Sequence, residues 1–337
     1  MIRWAEAPVL SEADHPPEKI VVIPEGATFN QAATLLEREQ LIRSRSAFLL
    51  LGKFQEADRK IHPGEYALHA AMPPAEILSR FLAGRVVLHP ITIPEGYAMS
   101  QIADVLEEHH ITAREEFLRL ASDKSFVKTL GIEADSVEGY LYPDTYRFAK
   151  PTAAKDVIRA MVDQLDYVMT QEWKVRAKEI SLTVHQVLTL ASVIEKETGV
   201  GNERPQISAV FHNRLKKNIP LQSDPTVIYG LPNFDGNLHK KDLSHPSPYN
   251  TYRWAGLPPG PIASPGADAI RAALYPVPSA YLYFVSRNDG THQFSATLVE
   301  HNKAVEKYQK RPFRKAPHSQ TFMVPKSDAI YHEEGVS

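Results

Sequence analysis

Two stretches of the chain repeat one alternation of apolar and polar positions. Residues 21–37 read VVIPEGATFNQAATLLE, and residues 91–107 read ITIPEGYAMSQIADVLE. Each opens on a β-branched run, Val21–Ile23 or Ile91–Ile93, which signals a short strand. Pro-Glu-Gly then halts the strand, Pro by fixing φ and Gly by permitting a tight turn. A helix follows, with Thr28 or Ser100 expected at its N-cap; in the second copy Ile102, Val105 and Leu106 form the apolar stripe. Glu25 and Glu95 hold equivalent places in the two turns, which favours turn-capping over a two-carboxylate site.

Between the copies, Gly64–Leu68 reads as another strand and residues 73–82 as a helix that starts on Pro and stops before Gly84. Residues 19–88 are therefore expected to form a compact β-α-α-β-α unit, with a boundary near residues 85–90. Helical patterns run over 153–178 and 183–198. After residue 218 comes a Pro/Gly-rich stretch through HPSPYNTYRWAGLPPGPIASPG (245–266). So long an irregular segment inside a compact domain usually carries function. A helix at 267–274, a strand at Tyr281–Ser286, a turn at Asn288–Gly290 and a helix from about 297 close a second domain, 89–312. Residues 1–18 are left as a linker and 313–337 as a tail. The fold class is α+β.

Composition narrows the chemistry. A length of 337 residues suits two domains. A net charge of −2, from 38 basic and 40 acidic residues, gives no polyanion footprint, so no nucleic-acid partner is expected. The basic run Lys303–Lys315 reads as a solvated helix end. The absence of cysteine excludes thiol nucleophiles, disulfides and cysteine-ligated metals. His185, His212, His245 and His292 fit no zinc spacing, and neither metal nor cofactor is expected. No window approaches the ~18 apolar residues of a membrane span, and the N-terminus does not read as a signal peptide.

The informative helix is TVHQVLTLASVIEKETG, residues 183–199. Val184, Val187, Leu188, Ala191 and Ile194 gather on one side. Glu195 lies on one flank of that stripe, and Glu197 on the other beside Leu190 and Val193, roughly 160° away. The two cannot aim into one cleft without help from another element. A carboxyl beside apolar neighbours has its charged form disfavoured, which prepares it as a general acid. Periodicity leaves Glu195 and Glu197 equally open.

Several strings then occur in a characteristic order: EGYLYPDTYRF, LASVIEKETG, RPQISAVFHNRLKKNIPLQSDPTVIYGL (204–231), SPYNTYRWAGLPPGPIASPG (247–266), ALYPVPSAYLYFV and HQFSATLVEHN. With the repeated IPEG units, they closely resemble the YceG-like family of endolytic murein transglycosylases over residues 20–310. The resemblance implies a LysM-like glycan-binding domain at 19–88, followed by a lytic-transglycosylase-like catalytic domain. It places the catalytic carboxylate at the first Glu of EKET, Glu195, with Glu197 supporting the site from outside. Family members are tethered by an N-terminal transmembrane helix and face the periplasm. That anchor is expected to be missing from this sequence, and the protein is expected to act outside the cytoplasm. Peptidoglycan strands are the implied substrate, and peptidoglycan synthases the implied partners.

Glycosidases of the hydrolytic kind use two carboxylates. A lytic transglycosylase uses one, which protonates the oxygen between N-acetylmuramic acid and N-acetylglucosamine and then takes the proton of the muramic C6 hydroxyl as a 1,6-anhydro ring closes. Tyr142, Tyr146, Tyr249 and Tyr252 are candidates to stack on sugars. Asn213, Gln222, Ser223, Asn250 and Thr251 are candidates to bind hydroxyl and acetamido groups. Glu138 and Asp224 are expected to orient Glu195 or neighbouring loops. The competing expectations are a muramidase-type hydrolase of the same bond and a non-catalytic wall-binding scaffold.

Overall fold

The computed structural model describes residues 7–11, 13, 15–57 and 60–310. The expected tail, 313–337, and part of the expected linker lie outside the described residues.

In the N-terminal part, β1 (Lys19–Ile23) pairs antiparallel with β2 (Gly64–Leu68), Ile23 facing Gly64. Helices α1 (Phe29–Arg38) and α2 (Arg45–Phe54) lie between the strands in sequence, and α3 (Pro74–Leu82) follows them. Val21 and Ile23 point inward from β1 while Ile20 and Val22 face outward, as the strand period requires. They join Phe29, Leu36, Phe48, Tyr66, Ile77 and Phe81 in one buried cluster. Thr28 caps α1 reciprocally: its hydroxyl accepts from the Gln31 N–H (3.2 Å), and Gln31 Oε1 accepts from the Thr28 N–H (2.8 Å).

The second repeat begins alike and ends differently. Strand β3 (His89–Thr92) pairs antiparallel with β4 (Thr145–Phe148), and α4 (Met99–Glu108), α5 (Arg114–Ala121) and α6 (Lys124–Thr129) intervene. The N-cap of α4 is Ala98 rather than Ser100, which lies inside the helix. Gln101 Oε1 still accepts from the Ala98 N–H at 3.0 Å. The missing hydroxyl is replaced from a distance, because the buried Glu138 carboxylate accepts from the Met99 N–H at 3.0 Å.

The helix expected over 153–178 is two, α7 (Ala154–Val168) and α8 (Gln171–Glu179). Thr170 starts the second by accepting from the Trp173 N–H. Helix α9 (Val184–Glu197) has a full capping box, Thr183 with Gln186. Its burial is not the expected single stripe: every residue from Val187 to Ile194 is buried. It is enclosed by α8, α10 (Arg204–Lys216), α11 (Asp224–Gly230) and α12 (Ala267–Leu274). The buried hydroxyls on α9 are satisfied. Thr189 donates to the His185 carbonyl (2.7 Å), and Ser192 accepts from the Ile262 N–H (3.0 Å).

A hairpin of β5 (Tyr283–Ser286) and β6 (His292–Ser295) is followed by α13 (Leu298–Val305) and a π-helical turn, Glu306–Lys310, that ends the described chain. The expected strand at 281–286 is shorter at its start, and β6 was not foreseen. The architecture is thus α+β, with three separate two-stranded antiparallel sheets and many helices among the described residues. No helix among the described residues is long and apolar enough to cross a membrane.

Candidate active site

The last turn of α9 sends its two carboxylates in different directions, as their spacing requires. Both sit at a helix C-terminus, where unpaired carbonyls disfavour a negative charge, so each depends on what other elements bring. The Glu195 side chain is 6% exposed and has two partners: Arg204 Nη2 donates to Oε1 at 2.8 Å, and the Gly266 N–H donates to Oε2 at 3.0 Å.

The turn of the second repeat docks onto this cluster. Gly96 donates to the Ser264 carbonyl at 2.8 Å, and Lys196 Nζ donates to the Gly96 carbonyl at 3.2 Å. Glu95 Oε2 lies 3.8 Å from the same Arg204 nitrogen. Burial pushes the Glu95 carboxyl up, and the Glu195 charge adds to this, against the pull of Arg204. Glu95, expected to cap its own turn like Glu25, instead faces the end of α9.

Glu197 enters a separate cavity of about 450 Å³, on whose wall also lie Arg214, Gln222, Asp224, Tyr252 and His292. Its Oε1 accepts a short hydrogen bond from the Ser223 hydroxyl. The carboxyl is pushed up to about 7, chiefly by burial; Ser223 and Arg214 oppose the shift and Asp224 adds to it. Ser223 is fixed in turn. Its N–H donates to Thr251 Oγ1 (3.0 Å), which shares a 2.8 Å hydrogen bond with Thr226 Oγ1.

Gln222 has φ of 52°, a left-handed backbone that a non-glycine residue adopts only under constraint. Its Oε1 accepts from Arg214 Nη1 at 3.1 Å. Tyr252 donates to Asp224 Oδ1 at 2.6 Å, and burial pushes the Tyr252 hydroxyl up. Arg214 was missed by sequence reasoning although its string was quoted. Its guanidinium also donates to the carbonyls of Pro220, Leu221 and Leu282, so this cation is wired to the backbone that shapes the wall.

Four candidate sugar-binding or orienting residues prove to be committed internally. Asn250 is fully buried, with Nδ2 donating to the carbonyls of Leu243 and His245 and Oδ1 accepting from the Tyr252 N–H. Thr251 is buried beneath Ser223. Asn213 Nδ2 donates to the Ser279 and Tyr281 carbonyls, at 2.9 and 3.0 Å. Glu138 caps α4 and accepts from the Tyr229 hydroxyl at 3.2 Å; burial pushes it up to about 7.

The remaining tyrosines stand away from Glu197. Tyr249 packs on Tyr229, with ring centroids 4.7 Å apart. Tyr146 donates to the Tyr142 carbonyl at 2.6 Å and stacks on Phe148. Burial and then the nearby Glu95 charge push the Tyr142 hydroxyl up, which places it beside the Glu195 cluster. The structure therefore gathers Glu197, Gln222, Asp224 and Tyr252 around one cavity, with the buried Ser223 bonded to Glu197. Glu195 and Tyr142 join a second group with Glu95.

The model of the YceG-like family matches residues 21–307. A Bacillus subtilis protein named endolytic murein transglycosylase is 37% identical over 303 residues, covering 85% of this chain and 83% of its own length. A Streptococcus pneumoniae protein of the same name is 30% identical over 321 residues, covering 86% of this chain and 58% of its own length. A crystal structure of a YceG-like protein from Listeria monocytogenes superposes with a TM-score of 0.60 at 35% identity, over 85% of this chain and 98% of that one. Sequence, relatives and fold agree: the chain belongs to the YceG-like family.

Proposed function

We propose that this chain is an endolytic murein transglycosylase that acts outside the cytoplasm. It cleaves the bond between N-acetylmuramic acid and N-acetylglucosamine within glycan strands and leaves 1,6-anhydro ends. The relatives named for that activity support the reaction class. One observation supports the assignment of its acid: Glu197 lines a polar cavity with its carboxyl held up at about 7. A group with that value is substantially protonated near neutrality and can give its proton to the bridging oxygen. Glu195, the residue the family resemblance pointed to, has both carboxyl oxygens taken up by Arg204 and the Gly266 N–H. We therefore read Glu197 as the general acid and Glu195 as the group that anchors the end of α9.

In the first step Glu197 protonates the glycosidic oxygen, the C1–O bond breaks, and the N-acetylglucosamine side leaves with its hydroxyl restored. The carboxylate that remains stabilises the positive charge at C1. The muramic C6 oxygen then bonds to C1 as its proton passes to a basic group on the cavity wall. Gln222 and Asp224, both exposed at the cavity, and Tyr252 are the groups best placed to hold the sugars. Residues 19–88 form, on this reading, a LysM-like unit that grips the strand. A groove of about 350 Å³ along the first Pro-Glu-Gly turn, between Val22 and Leu35, supports that role. Residues 89–312 carry the chemistry, and synthases that make new strands are the proposed partners.

Digestion of purified sacculi followed by mass spectrometry tests the function. Anhydromuropeptides are the expected products. Reducing-end muropeptides alone would make the protein a muramidase, and binding without soluble product would make it a scaffold.

A further inference from the structure

Glu203 and His292, 89 residues apart, are joined by two hydrogen bonds. Glu203 Oε1 accepts from the His292 backbone N–H at 3.0 Å, and Oε2 contacts His292 Nδ1 at 2.7 Å. The two side chains are 13% and 12% exposed. A carboxylate can only accept, so Nδ1 carries the hydrogen, and in the neutral ring Nε2 is left with its lone pair. Phe284 packs perpendicular to the ring, with centroids 5.5 Å apart at an interplanar angle of 88°. Nε2 has no hydrogen-bond partner among the described residues, and His292 stands on the wall of the Glu197 cavity.

Other wall groups lack this arrangement. Asp224 accepts from Tyr252, and Arg214 is a cation committed to carbonyls. His301 has no carboxylate on its ring, and its Nδ1 is buried without a partner. An imidazole fixed in one tautomer by a carboxylate, its second nitrogen unpartnered on a residue that lines a site, is the arrangement of a general base.

We propose that His292 is a second catalytic residue, and that its Nε2 takes the proton of the muramic C6 hydroxyl as O6 closes on C1. Glu203 is its positioning residue. This rests on the transglycosylase reading. The O6–H bond breaks, the O6–C1 bond forms, and the proton moves to Nε2, giving an imidazolium balanced by Glu203. Glu197 has given its own proton to the leaving group, and the imidazolium returns one to it through solvent, so no co-reactant is needed. Acid and base then belong to two groups, where the family resemblance assigns both duties to one carboxylate.

The test compares the unmutated chain with H292A, H292Q and E203Q on glycan strands, scoring anhydro and reducing-end products by mass spectrometry and the fold by melting temperature. Expected for H292A is a fall of about 100-fold in kcat with little change in KM. The reducing-end fraction should rise, because water captures the carbon that O6 no longer traps. H292Q should behave alike and carries the comparison should H292A not fold; E203Q should lose about tenfold, as expected when a supporting group of the base is removed. Unchanged rate and product ratio in the His292 variants would overturn the proposal. A slower reaction with the same product ratio would reduce His292 to positioning and also overturn its role as base. If the unmutated chain makes no anhydro product, the functional reading fails and this one with it; a failure confined to the variants touches only His292.

Discussion

Arg204 and Glu195 form a 2.8 Å ion pair in which the side chains are 12% and 6% exposed, two residues before the carboxylate that faces the cavity. The pair ties one acid of the helix end into the fold, while the other lines the cavity. Without Arg204, Glu195 would keep only the Gly266 N–H. Arg204→Gln should therefore destabilise the fold by roughly 3 kcal/mol, as expected when one partner of a buried pair is removed. Urea unfolding would show this; an unchanged midpoint would mean that Glu195 reaches solvent.

The rate should depend on pH through Glu197. Its acid form is needed, so kcat/KM should fall about tenfold per unit as pH rises above its value of about 7. Ser223 lowers that value by hydrogen-bonding the carboxylate. Ser223→Ala should then move the descending limb to higher pH. A pH–rate profile on glycan strands checks both, and a limb that stays in place in the variant would contradict the role given to Ser223.

Stability should show a related dependence. Glu138 and Glu197 hold their protons to about 7 in the fold, against an ordinary value of 4.5. The folded state binds more protons in that interval, so this contribution is fully present below pH 4.5 and is lost as pH rises through 7. A carboxyl shifted this far contributes on the order of 3 kcal/mol between the two limits. Glu138→Gln should remove its share and make stability at pH 5 and pH 8 more alike in urea melts. An unaltered difference would show that Glu138 ionises normally.

Gly139 follows Glu138 with φ of 76°, and an added Cβ would lie 2.2 Å from Cβ of Pro261. The left-handed backbone costs an alanine about 1 kcal/mol, and the proline ring cannot swing aside. Gly139→Ala should lose at least ~2 kcal/mol, read by calorimetry. A loss below that would mean that the 258–262 loop yields.

Much of this was legible in the sequence, because it depends on short-range pattern. The repeat, the α9 helix and the divergence of Glu195 from Glu197 all follow from periods of two and 3.6 residues. Periodicity gives the angle at which a side chain leaves a helix; it does not say which distant segment meets it there. That is why Glu95 reads as a turn residue until Arg204 stands beside it. For the same reason Ser100 reads as a cap where Glu138 does the work, and Asn250 reads as a sugar ligand where it ties down its own loop. The break between α7 and α8 hangs on the Thr170 cap within a continuous helical pattern. Arg214 and His292 gain meaning only once the β5–β6 hairpin lies against α10.

The central proposal is that Glu197, and not Glu195, gives the proton. Release of anhydromuropeptides from sacculi by Glu197→Gln and Glu195→Gln, each first shown to be folded, separates the two most directly. Expected is a loss of at least ~100-fold for Glu197→Gln, and a rate within about tenfold of the unmutated protein for Glu195→Gln. A folded Glu195→Gln that releases nothing, beside a Glu197→Gln that still works, would contradict it.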